Sequence, residues 1–345
     1  MTDVMTVTGP VRADQLGVIL PHEHVLNDVS SWWRPTTSVG WDAEDFAARP
    51  VTMDMLWDLK HDPFGNRDNC RLDDSALAAI EVDRYASLGG HSLVDATGLG
   101  LGRDLHRLRR ISEQTGVTII ACTGFYLDAA QPADIKGLPA EAIAEIIVRD
   151  LTDGEDGTRP GIIGEIGVGS SFTPAEQASL RGACIAQRAT GLPMQIHLPA
   201  WFRLAHQVLD IAEKHDVDPA RVVLCHMGPS GADLAYQEEA LRRGAFVQYD
   251  MIGMEVFYAD QGVQCPSDEE NATWLCRLAA RGHLGQLLIS QDIFVKSLLR
   301  NYGGPGYGHI LQYFVPRLRR HGMSQRDIDT LLIDNPRVLF AGKET

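Results

Sequence analysis

The chain has 345 residues, 44% hydrophobic and 22% charged, with 31 Lys and Arg against 46 Asp and Glu for a formal net charge of -15. That composition suits a globular chain with a large core and excludes a disordered one, and the acidic balance repels polyanions, so nucleic acid is not an expected partner. Six cysteines without CxxC spacing, no basic-then-apolar leader and no run near the ~18 apolar residues of a membrane span point to a reduced, cytoplasmic protein without a membrane anchor.

The first predicted strand is "GVILPHEHV" (17-25), which ends in His22 and His24. Side chains at i and i+2 of a strand share a face, so both imidazoles converge on one point. A long interruption follows at 26-90, holding "SSWWRPTTSVGWD" and "WDLKHDPFGNRDN" before a predicted helix at 73-88. A loop of this length in a compact unit is a covering or functional element, read here as an excursion over or beside a barrel mouth within one domain, 1-345. Its Trp32, Trp33 and Trp57 suit three roles equally: a homodimer contact, packing over the barrel, or a substrate wall.

Seven further strands are expected in "HSLVDAT" (91-97), "TIIACTG" (118-124), "GIIGEIG" (161-167), "MQIHLP" (194-199), "VVLCHMG" (222-228), "FVQYDM" (246-251) and "LLISQD" (287-292). Several are continuous apolar runs, as in parallel strands covered on both faces. Helical spacing fills the gaps at 104-116, 140-151, 173-191, 203-217, 232-243, 268-281, 308-320 and 324-340. In the third of these Thr173 is the predicted N-cap, with Pro174 at the first helical position, Glu176 three residues after the cap and Gly191 past the end. Eight strands alternating with helices predict a closed α/β fold, a (β/α)8 TIM barrel. No GxGxxG opens a helix after the first strand, which removes the main mark of a dinucleotide fold.

Active sites of such barrels are built at the C-terminal strand ends. There stand His22 and His24 on the first strand, Glu165 on the fourth, His197 on the fifth, His226 on the sixth and Asp292 on the eighth. Any one of them has a bland reading, as a satisfied core histidine, a paired acid or a helix cap. Six together read as a metal site, and six ligands exceed the three of a single catalytic zinc. They suit two divalent ions sharing a water, with Glu165 as bridge, His22, His24 and Asp292 on one ion, and His197 and His226 on the other. Asp292 is then the expected catalytic proton carrier. Imidazole with carboxylate suits Zn first, and Mn, Fe, Co or Ni as well.

Across almost the whole chain, in order, "TVTGPV", "LPHEH", "VDATGLGLGRD", "TGFYLD", "IIGEIG", "QIHLPA", "CHMGPS", "SQDIFVKS" and "DNPRVLF" resemble the phosphotriesterase-related branch of the amidohydrolase superfamily. The resemblance implies a metal-dependent hydrolase on a distorted barrel with a binuclear centre. Phosphotriesterases proper bridge with a carboxylated lysine on the fourth strand. This chain has Glu165 there and no lysine between Lys136 and Lys214, so it looks like the glutamate-bridged members. Assembly should then be independent of bicarbonate, and organophosphate activity does not carry over automatically.

Tyr126 matches the family position whose hydroxyl lies near the site, where it would polarise a carbonyl or simply pack under the loop. Trp201 and Tyr249 are candidate pocket residues. Lys296, Arg300 and Tyr302 are candidates to bind a substrate carboxylate or phosphate, unless "SLLRNY" is a helix with Arg300 facing solvent. The expected substrate is a small molecule, foremost a carboxylic ester such as a lactone or sugar lactone. The alternatives are an amide such as an N-acyl amino acid, a phosphoester, or, in another class, a non-catalytic metal-binding or regulatory barrel.

Overall fold

All eight predicted strands form, and they join in chain order into one sheet. In the computed structural model, which describes residues 2-341, they are β1 (Ile19–Glu23), β2 (Ser92–Asp95), β3 (Thr118–Thr123), β4 (Ile162–Gly167), β5 (Met194–His197), β6 (Val222–Leu224), β7 (Phe246–Tyr249) and β8 (Leu287–Ile289). Every neighbouring pair from β1 to β8 runs parallel. Apart from Thr118, every residue of these strands is buried, which is why they read as continuous apolar runs. Between β8 and β1 the described residues show no strand ladder. The ring closes there through His22 N–H to Ser290 Oγ at 3.1 Å and Asp292 N–H to His22 O at 3.3 Å.

The interruption after β1 holds α1 (Ala43–Ala48) and α2 (Leu56–His61), and α3 (Ser75–Ser87) then returns the chain to β2. Within it Asn27–Asp28 pairs antiparallel with Arg71–Leu72. Leu26, Val29, Phe64, Cys70 and Leu72 join the hydrophobic core of the barrel itself. Phe46, Val51, Met55 and Leu59 form a small separate cluster. An antiparallel hairpin, Asp3–Thr6 with Gly9–Arg12, lies at the other end of the barrel, where Val7 N–H bonds Ile119 O at the start of β3.

The helices between strands are α4 (Leu105–Thr115), α5 (Ala140–Asp153), α6 (Pro174–Thr190), α7 (Ala205–Lys214), α8 (Leu234–Arg242) and α9 (Asp268–Leu278). The cap predicted for α6 forms: Thr173 and Glu176 make a reciprocal capping box, and Gly191 ends the helix in the left-handed region. The two C-terminal helical stretches are not uniform. Wide π-turns at Ile310–Phe314 and Thr330–Asp334 run into short α-helices. Each turn lies two residues before a proline, Pro316 or Pro336, which lacks the amide proton for an i to i−4 bond. No helix among the described residues is long and apolar enough to cross a membrane.

β6 and β8 stop short of their predicted ends, and the reason lies in the site. His226 (φ 58°) and Asp292 (φ 54°) adopt left-handed backbone, which no extended ladder accommodates. Both residues therefore stand beyond the last paired position of their strands. Such conformations cost on the order of 1–3 kcal/mol each and persist where surrounding bonds hold them.

Candidate metal centre and active site

The six residues expected to converge do so. One oxygen of Glu165, Oε1, lies 2.6 Å from His226 Nε2, 3.0 Å from His197 Nδ1 and 3.7 Å from His22 Nε2. Asp292 Oδ1 lies 3.2 Å from His24 Nε2 and 3.6 Å from His22 Nε2. All six side chains are buried or nearly so. Gly164 is required before Glu165: its φ is +106°, and a Cβ there would come within 2.2 Å of Gln195 O.

Residues of other strands and strand ends fix three of the histidine rings: Gln195 of β5 reaches His22 from a strand that does not pair with β1, while Thr97 and Asp250 follow the neighbouring strands β2 and β7. His22 Nδ1 is 2.9 Å from Gln195 Oε1, His24 Nδ1 is 2.9 Å from Thr97 Oγ1, and His226 Nδ1 is 2.9 Å from Asp250 Oδ1. The Gln195 and Asp250 oxygens only accept, which puts the proton of His22 and His226 on Nδ1 and turns Nε2 toward the cluster as an electron-pair donor; the Thr97 hydroxyl orients the His24 ring and is compatible with the same tautomer. His197 is turned the other way and presents Nδ1. Sequence reasoning passed over Gln195, Thr97 and Asp250. Asp250 had a signal, a buried acid closing the seventh predicted strand as Asp292 closes the eighth, whereas a glutamine and a threonine inside strands carry none.

The donor set fits a cation. His22 Nε2 is buried and has no hydrogen-bond partner. His226 Nε2 sits 2.8 Å from His197 Nδ1 and closer still to Glu165 Oε1, a crowding of electron-pair donors that a shared proton or a cation relieves. The protonation equilibria carry the same demand. Burial opposes charge on the His226 ring, but Asp250 and Glu165 outweigh it and raise the ring well above ordinary imidazole. Burial alone would raise the Glu165 carboxyl, yet the His197, His22 and His226 rings hold it well below the ordinary range. His22, Glu165 and His226 form one trio able to hold a metal ion, and His22, His24 and Asp292 another. A third, His22 with Cys225 and Asp250, uses groups already engaged behind the rings.

Five of the six, His24, Glu165, His197, His226 and Asp292, line the floor of a cavity of about 720 Å³, with His22 buried behind them. Tyr126 and Trp201 line it, and the Tyr126 hydroxyl is 3.2 Å from His197 Nδ1. Burial raises the Tyr126 phenol well above its usual value, so it stays a proton donor at neutral pH. One stretch of the wall is aromatic. Trp32 stacks on Phe64 (centroids 5.3 Å apart), Phe64 on Tyr258 (5.2 Å), and Tyr258 meets Trp201 edge-on (5.7 Å). The interruption after β1 thus contributes part of the wall, with Trp32 in it. Trp33 instead lies under the Arg67 guanidinium, and Trp57 is 70% exposed.

Four candidates do not reach the cavity. Tyr249 is fully buried, with its hydroxyl on Gln237 Oε1 at 2.7 Å. Lys296 Nζ pairs with Asp68 Oδ1 at 2.5 Å. Arg300 is exposed, and Tyr302 packs on the Phe46 cluster. After Asp292 the chain turns outward beneath the interruption in two short 3-10 turns, Lys296–Leu298 and Arg300–Tyr302, not in a helix over the mouth. The only Lys or Arg among the residues lining the cavity is Arg34, which is exposed and bonds the carbonyls of Ser31 and Trp33.

Comparison with known proteins agrees with this geometry. The Phosphotriesterase family profile matches residues 2-340. N-acetyltaurine hydrolase of Xenopus tropicalis is 32% identical over 339 residues, covering 97% of this chain and 96% of that protein. The crystal structure of a resiniferatoxin-binding protein from Rhodobacter sphaeroides superposes with a TM-score of 0.96 at 48% identity, covering 99% of this chain and 96% of that one. A variant of a PTE-like lactonase from Deinococcus radiodurans superposes with a TM-score of 0.77 at 28% identity, over 98% and 100% of the two chains. Strand-end donors, barrel and whole-length match converge on one conclusion: this chain belongs to the phosphotriesterase family of hydrolases.

Proposed function

We propose that the protein hydrolyses a carboxylic ester, foremost a lactone carrying an apolar tail, with two divalent metal ions held by the six clustered residues. His22, His24 and Asp292 would hold one ion, His197 and His226 the other, with Glu165 between; zinc is the first choice for this donor set. Bound there, the ions supply Lewis acidity that polarises a carbonyl and acidifies water.

The chain's own residues do the rest. Tyr126, protonated at neutral pH, donates a hydrogen bond toward the carbonyl oxygen. Asp292, at the cavity floor, takes a proton and passes it to the leaving alkoxide. The aromatic wall binds the tail and excludes water. The observation that carries the choice of substrate is this wall: aromatic and aliphatic side chains dominate it, and exposed Arg34 is the one Lys or Arg among its lining residues to meet an anionic group away from the metal site. Likeness to a lactonase supports the same choice.

One reading competes. Likeness to N-acetyltaurine hydrolase, together with Arg34 at the rim, favours an amide whose far end is an anion. A zinc-loaded sample assayed on a lactone series, linear esters, N-acetyltaurine and a phosphotriester separates the two. The expected result is highest kcat/KM on lactones, rising roughly fourfold per added methylene until the wall is filled. Preference for N-acetyltaurine that disappears in Arg34→Ala would transfer the assignment to the amide.

A further inference from the structure

We propose that Glu23, the residue between the two histidines of β1, is a positioning residue for Asp292: its carboxylate accepts the amide protons on both sides of that aspartate and so fixes where its oxygens point. This rests on the reading of Asp292 as metal ligand and proton carrier.

Strand alternation sends Glu23 to the face opposite His22 and His24. It is completely buried. Oε1 accepts from Gln291 N at 2.9 Å, Ser290 Oγ at 2.8 Å and Gln291 Nε2 at 3.2 Å, and Oε2 accepts from Ile293 N at 3.0 Å. Asp292 lies between the two gripped amides, in left-handed backbone and at the seam where β8 and β1 lack a ladder. One residue thus places three candidate ligands, two as its chain neighbours and the third through its side chain. Three N–H donors and one hydroxyl face its two oxygens, so this side chain acts as an acceptor at every contact. Glutamine cannot replace it, because its amide nitrogen would set donor against donor at one of the two amides. Aspartate is one methylene too short to span them.

The test uses full-length Glu23→Gln and Glu23→Asp, loaded with zinc for kinetics and titrated with cobalt for its visible absorption. The leaving-group probe is an alkyl and an aryl ester of one acid. Both variants are expected to lose roughly 10–100-fold in kcat with little change in KM, more on the alkyl ester, whose leaving group needs the proton from Asp292. Cobalt affinity should weaken by roughly tenfold with an altered absorption band. A lower melting temperature with wild-type leaving-group dependence and cobalt binding would overturn the proposal, leaving Glu23 a plain staple. If the wild type cleaves no ester, the proposed function fails, and the cobalt titration alone decides the role of Glu23. If neither variant folds, Ser290→Ala removes one donor to Glu23, together with the acceptor of the His22 amide proton, and keeps both amide bonds to Glu23; Ser290→Thr, which retains the hydroxyl, is its control. Ser290→Ala should show the same leaving-group pattern at roughly threefold, and an unchanged ratio would count against the proposal.

Discussion

His22, His24 and His226, at the strand ends, are each held by a hydrogen bond at Nδ1 from another part of the barrel: His22 by Gln195 of β5, His24 by Thr97 after β2 and His226 by Asp250 after β7. Trp32, Phe64, Tyr258 and Trp201, on the cavity wall, come from the interruption and the loops and hold one another by ring contacts. Hydrogen bonds fix direction within a fraction of an ångström, while apolar contact is non-directional and scales with area. The floor is therefore suited to chemistry that depends on the aim of lone pairs. The wall is suited to recognition that tolerates a family of shapes.

Substitutions on the two sides should separate cleanly if this contrast is right. Glu165→Ala removes the carboxylate that three rings share, and kcat should fall roughly a thousandfold or more, with metal content by mass spectrometry falling in the same samples. Retention of metal and rate would break the contrast at its centre. Gln195→Leu keeps every candidate ligand but frees the His22 ring, so a loss of roughly 10–100-fold in rate or metal affinity is expected. On the wall, Trp201→Ala should raise KM for a long-tailed lactone by about tenfold, leaving kcat and short-tailed substrates nearly unchanged. A kcat effect there would mean the wall also aligns the reacting bond. Smallest of all, Trp57→Ser alters a side chain 70% exposed and away from the cavity lining; kinetics should not move, and stability by less than about 0.5 kcal/mol.

The side of the molecule bound by directional bonds was also the more legible in sequence. Strand periodicity and the barrel rule alone place His22, His24, Glu165, His197, His226 and Asp292 at one end of the barrel. The wall was legible only in part, through Tyr126, Trp201 and, as one of three roles, Trp32, because the stacking of Trp32 on Phe64 and of Phe64 on Tyr258 joins distant segments with no shared periodicity. Lys296, Arg300 and Tyr302 were misplaced for a related reason. The left-handed turn at Asp292 redirects the chain, and nothing in "QDIFVKSLLRNY" announces that turn. Gln195 and Thr97 stayed hidden because neutral strand residues carry no charge signal, although their work on the rings is as specific as that of Asp250.

The seam between β8 and β1 bears on the order of assembly. Glu23 and Gln291 stand 268 residues apart, one of the longest separations bridged by a side chain in the molecule. Closing so long a loop costs entropy that only a nearly finished fold repays, so contacts of this kind form late. A chain still emerging from the ribosome, with seven strands made and β8 to come, can carry four histidines and Glu165, yet His22 and His24 have no Asp292 beside them. Full donor capacity thus appears only once the ring is shut, and metal uptake by a refolding chain would report completion of the barrel, not collapse of its core.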